Sequence, residues 1–212
     1  MGKGMLHRPI IIAALILSGL AGKQATAQVA IGAVTQIQGE ASGTLGNATR
    51  SLGLTTPVSL NEVVSTGDMA RLEITFADHT RLTLGEKAKL TLDRYVFDAA
   101  AGTRTIRFGM VGAFRFISGQ VAKLASSDVS ITTSVATLGI RGTEFWGGPI
   151  DDQALGVFLI EGTVSVSNAR GEQILSQPGQ GTNIATPGAA PGPVTFWPQD
   201  RIDRALARVT FR

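Results

Sequence analysis

The chain has 212 residues, two histidines, no cysteine and a formal net charge of +3. That length suffices for one domain with a sizeable core or two small ones, and the lack of cysteine excludes disulfide stapling, thiol catalysis and cysteine-held metal. The positive balance is local: residues 1–27 hold Lys3, Arg8 and Lys23 and no acid, leaving 16 basic and 16 acidic residues in the rest, so no nucleic-acid partner is expected.

The first residues carry a basic stretch (Lys3, His7, Arg8), an apolar run from Ile10 to about Leu20, and small residues ending Ala25-Thr26-Ala27. This is the layout of a cleavable Sec-type signal peptide over 1–27, cut after Ala27, which places the mature protein in the periplasm or outside the cell. The apolar run is broken by Ser18 and Gly19 and is shorter than the about 20 residues of a bilayer helix. An uncleaved anchor is the competing reading. No later stretch reaches membrane length, so no membrane span is expected after cleavage.

From there the apolar residues recur with a period of two: Leu72, Ile74 and Phe76, then Leu82 and Leu84, then Leu90 and Leu92. These are half-buried strands. Between the first two, Ala77-Asp78-His79-Thr80 has hairpin chemistry, with Asp78 able to bond the backbone two residues on. Further strands are expected at 29–38, 105–108, 112–117, 129–133, 143–146, 155–160, 163–167 and 172–175. Three segments share a pattern, Ile37-Gln38-Gly39-Glu40-Ala41, Ile117-Ser118-Gly119-Gln120-Val121 and Ile160-Glu161-Gly162-Thr163-Val164. A glycine between apolar stretches serves as a bulge or tight bend.

The prolines and glycines of 178–198 predict an extended surface linker. After it, Ile202, Leu206 and Val209 fall on one helical face and Asp200 pairs with Arg204 at i,i+4. That helix either caps the sheet or, through Arg201, Arg204, Arg208 and Arg212, lies on a membrane surface. The predicted fold class is all-β, many short strands in two packed sheets (a sandwich, or a short β-roll or solenoid-like form), with one short C-terminal helix. The expected division is 1–27 signal peptide, 28–185 β domain, 186–198 linker and 199–212 helical cap.

Little in the chain carries covalent chemistry. Beyond the signal peptide the only histidine is His79, beside an Asp78 badly placed to orient it, so no catalytic triad, metal site or cofactor site is expected. Asp151 and Asp152 beside Gly147-Gly148 superficially resemble a calcium turn, but calcium needs six to eight oxygen ligands, and a solvated loop is the simpler reading. Trp146, Phe196 and Trp197 either pack or offer stacking surfaces, with burial favoured for Trp146 because it continues the strand from Phe145.

The most specific string runs from Ile131 to Phe145 and contains Gly139-Ile140-Arg141-Gly142-Thr143. The two glycines allow unusual backbone angles and close strand approach, and Arg141 offers a planar donor fork. Either Arg141 ties down neighbouring carbonyls or pairs with an acid such as Glu144 or Glu161, or it faces a partner or an anionic ligand. Thr137 and Thr143 are expected to stabilise the turn.

This string resembles the FecR domain, as do Val157-Phe158-Leu159-Ile160-Glu161-Gly162-Thr163-Val164, Val63-Val64-Ser65-Thr66-Gly67, Ala70–Asp78 and Gln177-Pro178-Gly179-Gln180-Gly181. The likeness spans about 30–185. Thr133-Ser134 stands where that family often has Thr-Pro, and Asp78-His79 where it often has Asp-Gly. The resemblance implies an extracytoplasmic, non-catalytic binding or sensing module with an envelope protein or glycan partner. Gly139, Arg141, Gly142, Thr143 and Trp146 are the candidate interaction residues. The alternatives are an anchored anti-sigma or signal-transduction regulator, and an envelope carbohydrate-active enzyme, which would need paired carboxylates.

Overall fold

A computed structural model describes residues 29–212 apart from 99, 101–102 and 120–125. The expected signal peptide, and Gln120 and Val121 of the repeat, lie outside the described residues. In chain order the strands are β1 (Ala30–Gln38), β2 (Ala41–Leu45), β3 (Ala48–Ser51), β4 (Pro57–Ser59), β5 (Val63–Thr66), β6 (Arg71–Phe76), β7 (Arg81–Leu84) and β8 (Lys89–Asp98). They continue as β9 (Thr103–Val111), β10 (Phe114–Ile117), β11 (Ser126–Thr132), β12 (Thr137–Ile150), β13 (Gln153–Asn168), β14 (Gly171–Leu175), β15 (Gln180–Ile184) and β16 (Thr195–Phe196), with α1 at Gln199–Ala207.

The all-β expectation holds, but the two packed sheets do not. Every strand belongs to one curled sheet, in the order β3-β2-β5-β8-β9-β11-β12-β10-β7-β6-β1-β4, with β13 beside β12 and carrying β14 and β15. Continuity comes from β12 and β13, of 14 and 16 residues. The first part of β12 pairs β11 through Thr137–Gly139, and its later part pairs β10 through Glu144–Gly147. One pair of strands thereby stitches together what would otherwise be two layers.

The inward faces are those the period of two marks. Leu72, Ile74 and Phe76 of β6, Leu82 and Leu84 of β7, and Leu90 and Leu92 of β8 are all buried. Phe108, Phe114, Phe116, Leu138, Ile140, Val164 and Val166 join them in one core. Each such side chain contributes about 1.5–3 kcal/mol of burial. Strand β15 falls within the proline- and glycine-rich stretch 178–198, at the end of the expected β domain, and the short β16 forms within the expected linker 186–198. Where the chain turns between the halves of the sheet, glycine meets alanine: a Cβ on Gly39 would sit 3.1 Å from Ala70, and one on Gly112 2.9 Å from Ala88.

The β6–β7 hairpin carries a buried polar cluster. Asp78 accepts hydrogen bonds from the Thr80 amide (3.1 Å), the Thr80 hydroxyl (2.8 Å), the Tyr95 hydroxyl (3.1 Å) and Arg104 (2.9 Å). Asp78 and Arg104 are both wholly buried. His79 sits in the left-handed region at φ 64°, the position that favours glycine.

Helix α1 covers the outer face of the later part of β12. Trp146, Phe158, Trp197, Ala205 and Val209 form a second core there, with Trp197 stacked on Phe158 at 5.6 Å. The arginines of α1 are engaged with the protein. Arg204 binds Asp200 (2.6 Å) and Asp151 (3.1 Å), Arg201 approaches Asp151 to 3.1 Å and stacks over Trp197, and Arg208 donates to the Pro149 carbonyl. The helix is therefore a cap, and its apolar face is unavailable to a membrane surface. Among the described residues, no helix is long and apolar enough to cross a membrane.

Candidate functional site

The Gly-x-Arg-Gly-Thr string lies in the middle of β12, where its pairing with β13 breaks step. Pairing is regular from Thr137↔Ser167 to Arg141↔Thr163, is shifted at Glu144↔Glu161 and regains its register at Phe145↔Leu159. Gly142 and Thr143 thus oppose a single residue, Gly162, which defines a β-bulge. Gly142 has φ 57° and Gly162 φ 85°, and a Cβ on Gly162 would lie 2.1 Å from the Gly142 carbonyl oxygen. Only glycine fits there.

The Thr143 hydroxyl fastens the bulge. It is buried, sits 2.5 Å from the Thr163 carbonyl oxygen and 2.9 Å from that of Arg141, and accepts the Thr163 amide at 3.2 Å. The Thr143 amide donates to the Ser118 hydroxyl (3.1 Å), and the Ser118 amide returns a bond to the Thr143 carbonyl (3.0 Å). The bulge is tied on both edges.

Immediately before it, Arg141 points outward, exposed, with no ion pair or hydrogen bond among the described residues. The acids expected to neutralise it do not. Glu144 pairs with Arg115 instead, accepting its Nε at 2.9 Å, and Glu161 is exposed. Arg141 borders an open groove of about 420 Å³ whose wall and floor come from β11, β12, β13 and β14. The absence of a side chain at Gly139 keeps the floor low, since a Cβ there would press on the Ser165 hydroxyl at 2.7 Å. Asp128, on the β11 side, is held by Arg107 at 2.9 Å. Thr163 and Ser165 present hydroxyls from β13, and Glu172 and Ile174 close the β14 side.

The sequence-predicted residues therefore divide. Gly139 and Arg141 line the groove, Gly142 and Thr143 build the bulge behind it, and Trp146 is elsewhere. Trp146 is fully buried under α1, 6.2 Å from Trp197, and offers no surface to a partner. Phe196 is exposed, whereas Trp197 is buried. Asp151 and Asp152, at φ 50° and 61°, are the two central residues of a tight hairpin between β12 and β13. Asp151 anchors α1, and no cluster of potential metal ligands occurs among the described residues. Sequence reasoning missed Thr163, Ser165, Glu172 and Ile174. Their signal was present in the alternation of Thr163, Ser165 and Ser167 with Val164 and Val166, which puts hydroxyls on the face away from the core.

Fold and groove define an all-β domain that presents an unpaired arginine from a bulged sheet. Residues 62–165 match the family model described as FecR protein, which bears out the resemblance to the FecR domain over that part of the chain. No curated protein matches the chain. Among solved structures, it is similar to one described as a "putative anti-sigma factor" from Parabacteroides distasonis, with a TM-score of 0.54 and 16% identity over 68% of this chain. The chain spans 63% of that protein's length. A second structure with the same description and source has a TM-score of 0.51 and 15% identity, covering 69% of this chain and 74% of its own. At such identities the likeness concerns the fold.

Proposed function

We propose that the protein is a non-catalytic binding and sensing module of the bacterial cell envelope, working in signal transduction by recognising a partner or ligand at the Arg141 groove. The observation that carries this reading is an exposed arginine left without a counter-charge while the FecR-type motif around it is tied down bond by bond. Export rests on the signal-peptide layout of residues 1–27. An enzyme acting on glycosidic bonds would use two free carboxyls flanking its substrate, whereas Asp128 in this groove is committed to Arg107.

Capture from native envelope extract tests the reading. The exported protein retains a specific component, Arg141→Ala loses it, and Arg170→Ala, at another exposed site, keeps it. Equal retention by all three would count against recognition at the groove. The anchored-regulator alternative draws on the description of the structural neighbours and predicts an uncleaved N-terminus in cells. A mass beginning at Gln28 would exclude it.

A further inference from the structure

The groove has a chemical character narrower than binding in general, and resting on the reading above, we infer that its ligand is an acidic sugar: a carboxylate carried on a hydroxyl-rich ring. Three features converge. The cationic group is Arg141, whose planar fork matches a carboxylate in two-point fashion. Arg107, which pairs with Asp128, is not among the lining residues, so Arg141 is the one cationic side chain of the groove. Its floor consists of short hydroxyls: neither the Thr163 nor the Ser165 side chain has a hydrogen-bond partner among the described residues, so both are free to exchange bonds with ring hydroxyls. Ile174, 56% exposed, supplies an aliphatic wall for the C–H face of a ring, and Glu172 stands as an acceptor on the far side for a hydroxyl or amide N–H.

The volume of about 420 Å³ falls within the range of small-ligand sites, about 300–1,000 Å³. A flat peptide strand fits this surface poorly, because the groove opens on a sheet face whose side chains are hydroxyls, and extended peptides gain affinity from main-chain bonds at an edge. A ring satisfies its polar groups face-on. The carboxylate could come from a uronic acid of an exported polysaccharide or from the lactyl-bearing amino sugar of the cell wall. Both carry the same pairing of acid and hydroxylated ring.

Titration of the protein spanning residues 28–212, followed by amide chemical shifts, tests this with four probes: glucuronate, N-acetylmuramic acid, glucose and N-acetylglucosamine. At least one acid is expected to bind about tenfold more tightly than its neutral counterpart, with shifts at Gly139, Arg141, Thr163 and Ser165. Preference between the two acids assigns the source. Arg141→Ala should abolish the acid preference, Arg141→Lys should restore it in part, and Ser165→Ala should weaken acid and neutral sugar alike. No binding at millimolar sugar, equal binding of acid and neutral forms, or an acid preference that survives Arg141→Ala would overturn the inference. Loss of sugar binding alongside Arg141-dependent capture of an envelope component would leave the broader reading standing and remove only the sugar.

Discussion

Replacing Thr143 by valine removes one oxygen atom and almost no volume, so it isolates the hydroxyl that holds the bulge. In the folded protein this hydroxyl accepts the Thr163 amide at 3.2 Å and lies between the carbonyl oxygens of Thr163 and Arg141, with the threonine 2% exposed. Valine leaves the Thr163 N–H without this acceptor at a part-buried site. One buried, unsatisfied polar group costs about 1–3 kcal/mol, and for a domain of this size each kcal/mol lowers Tm by about 2–4 °C. The expected loss of about 2 kcal/mol therefore appears as a fall of about 4–8 °C in a thermal melt, with an unchanged denaturant m-value. Thr137→Val on the same strand is exposed and should stay within about 0.5 kcal/mol of wild type. If the two variants melt together, the bulge is held by something other than Thr143.

Three further outcomes follow from the polar cluster and its hairpin. His79→Gly places glycine at a left-handed φ of 64° and should stabilise the protein by about 1 kcal/mol in urea unfolding; an unchanged midpoint would mean that the turn carries no such strain. Arg104→Met leaves Asp78 buried with its charge unpaired and should cost about 3–5 kcal/mol, while Arg104→Met combined with Asp78→Asn should recover part of that loss; a double variant no better than the single one would show that the charge pair is not the origin. Burial, followed by the Asp78 charge, pushes the Tyr95 phenol above its ordinary value of 10.0. A raised folded-state value means that the stabilisation is complete below pH 10 and is lost as pH rises through the folded-state value. Because Tyr95 is the only tyrosine, phenolate absorbance should lag behind that of free tyrosine until the alkaline unfolding that Tyr95→Phe postpones.

The parts legible in the sequence are those in which burial alternates. Leu72-Glu73-Ile74-Thr75-Phe76 announces β6 because one side faces the core. By contrast, β2 and β3 read as Ala-Ser-Gly-Thr-Leu and Ala-Thr-Arg-Ser, with β3 wholly exposed, so no apolar period marks them. Gly162 also misled, since a glycine between two apolar runs reads as a break, and 155–160 and 163–167 appear as two strands. They are one strand, because the bulge absorbs the irregularity without ending the ladder. Alternation reports which face of a strand is buried and is silent on whether the sheet continues past it, which is why two packed sheets were expected where β12 and β13 join a single one. At the site, the string Gly139 to Thr143 was legible as backbone chemistry. The burial of Trp146 was legible in its continuation of the strand after Phe145, but its cover was not, because α1, more than fifty residues later, supplies it.

The most direct test of recognition at the groove is amide hydrogen exchange on the exported protein with and without its captured envelope component. Slowed exchange should be confined to residues 128–130, 139–141, 163–165 and 172–174, and should vanish with Arg141→Ala. Protection at the β3 and β4 edges instead, with these segments unchanged, would contradict it.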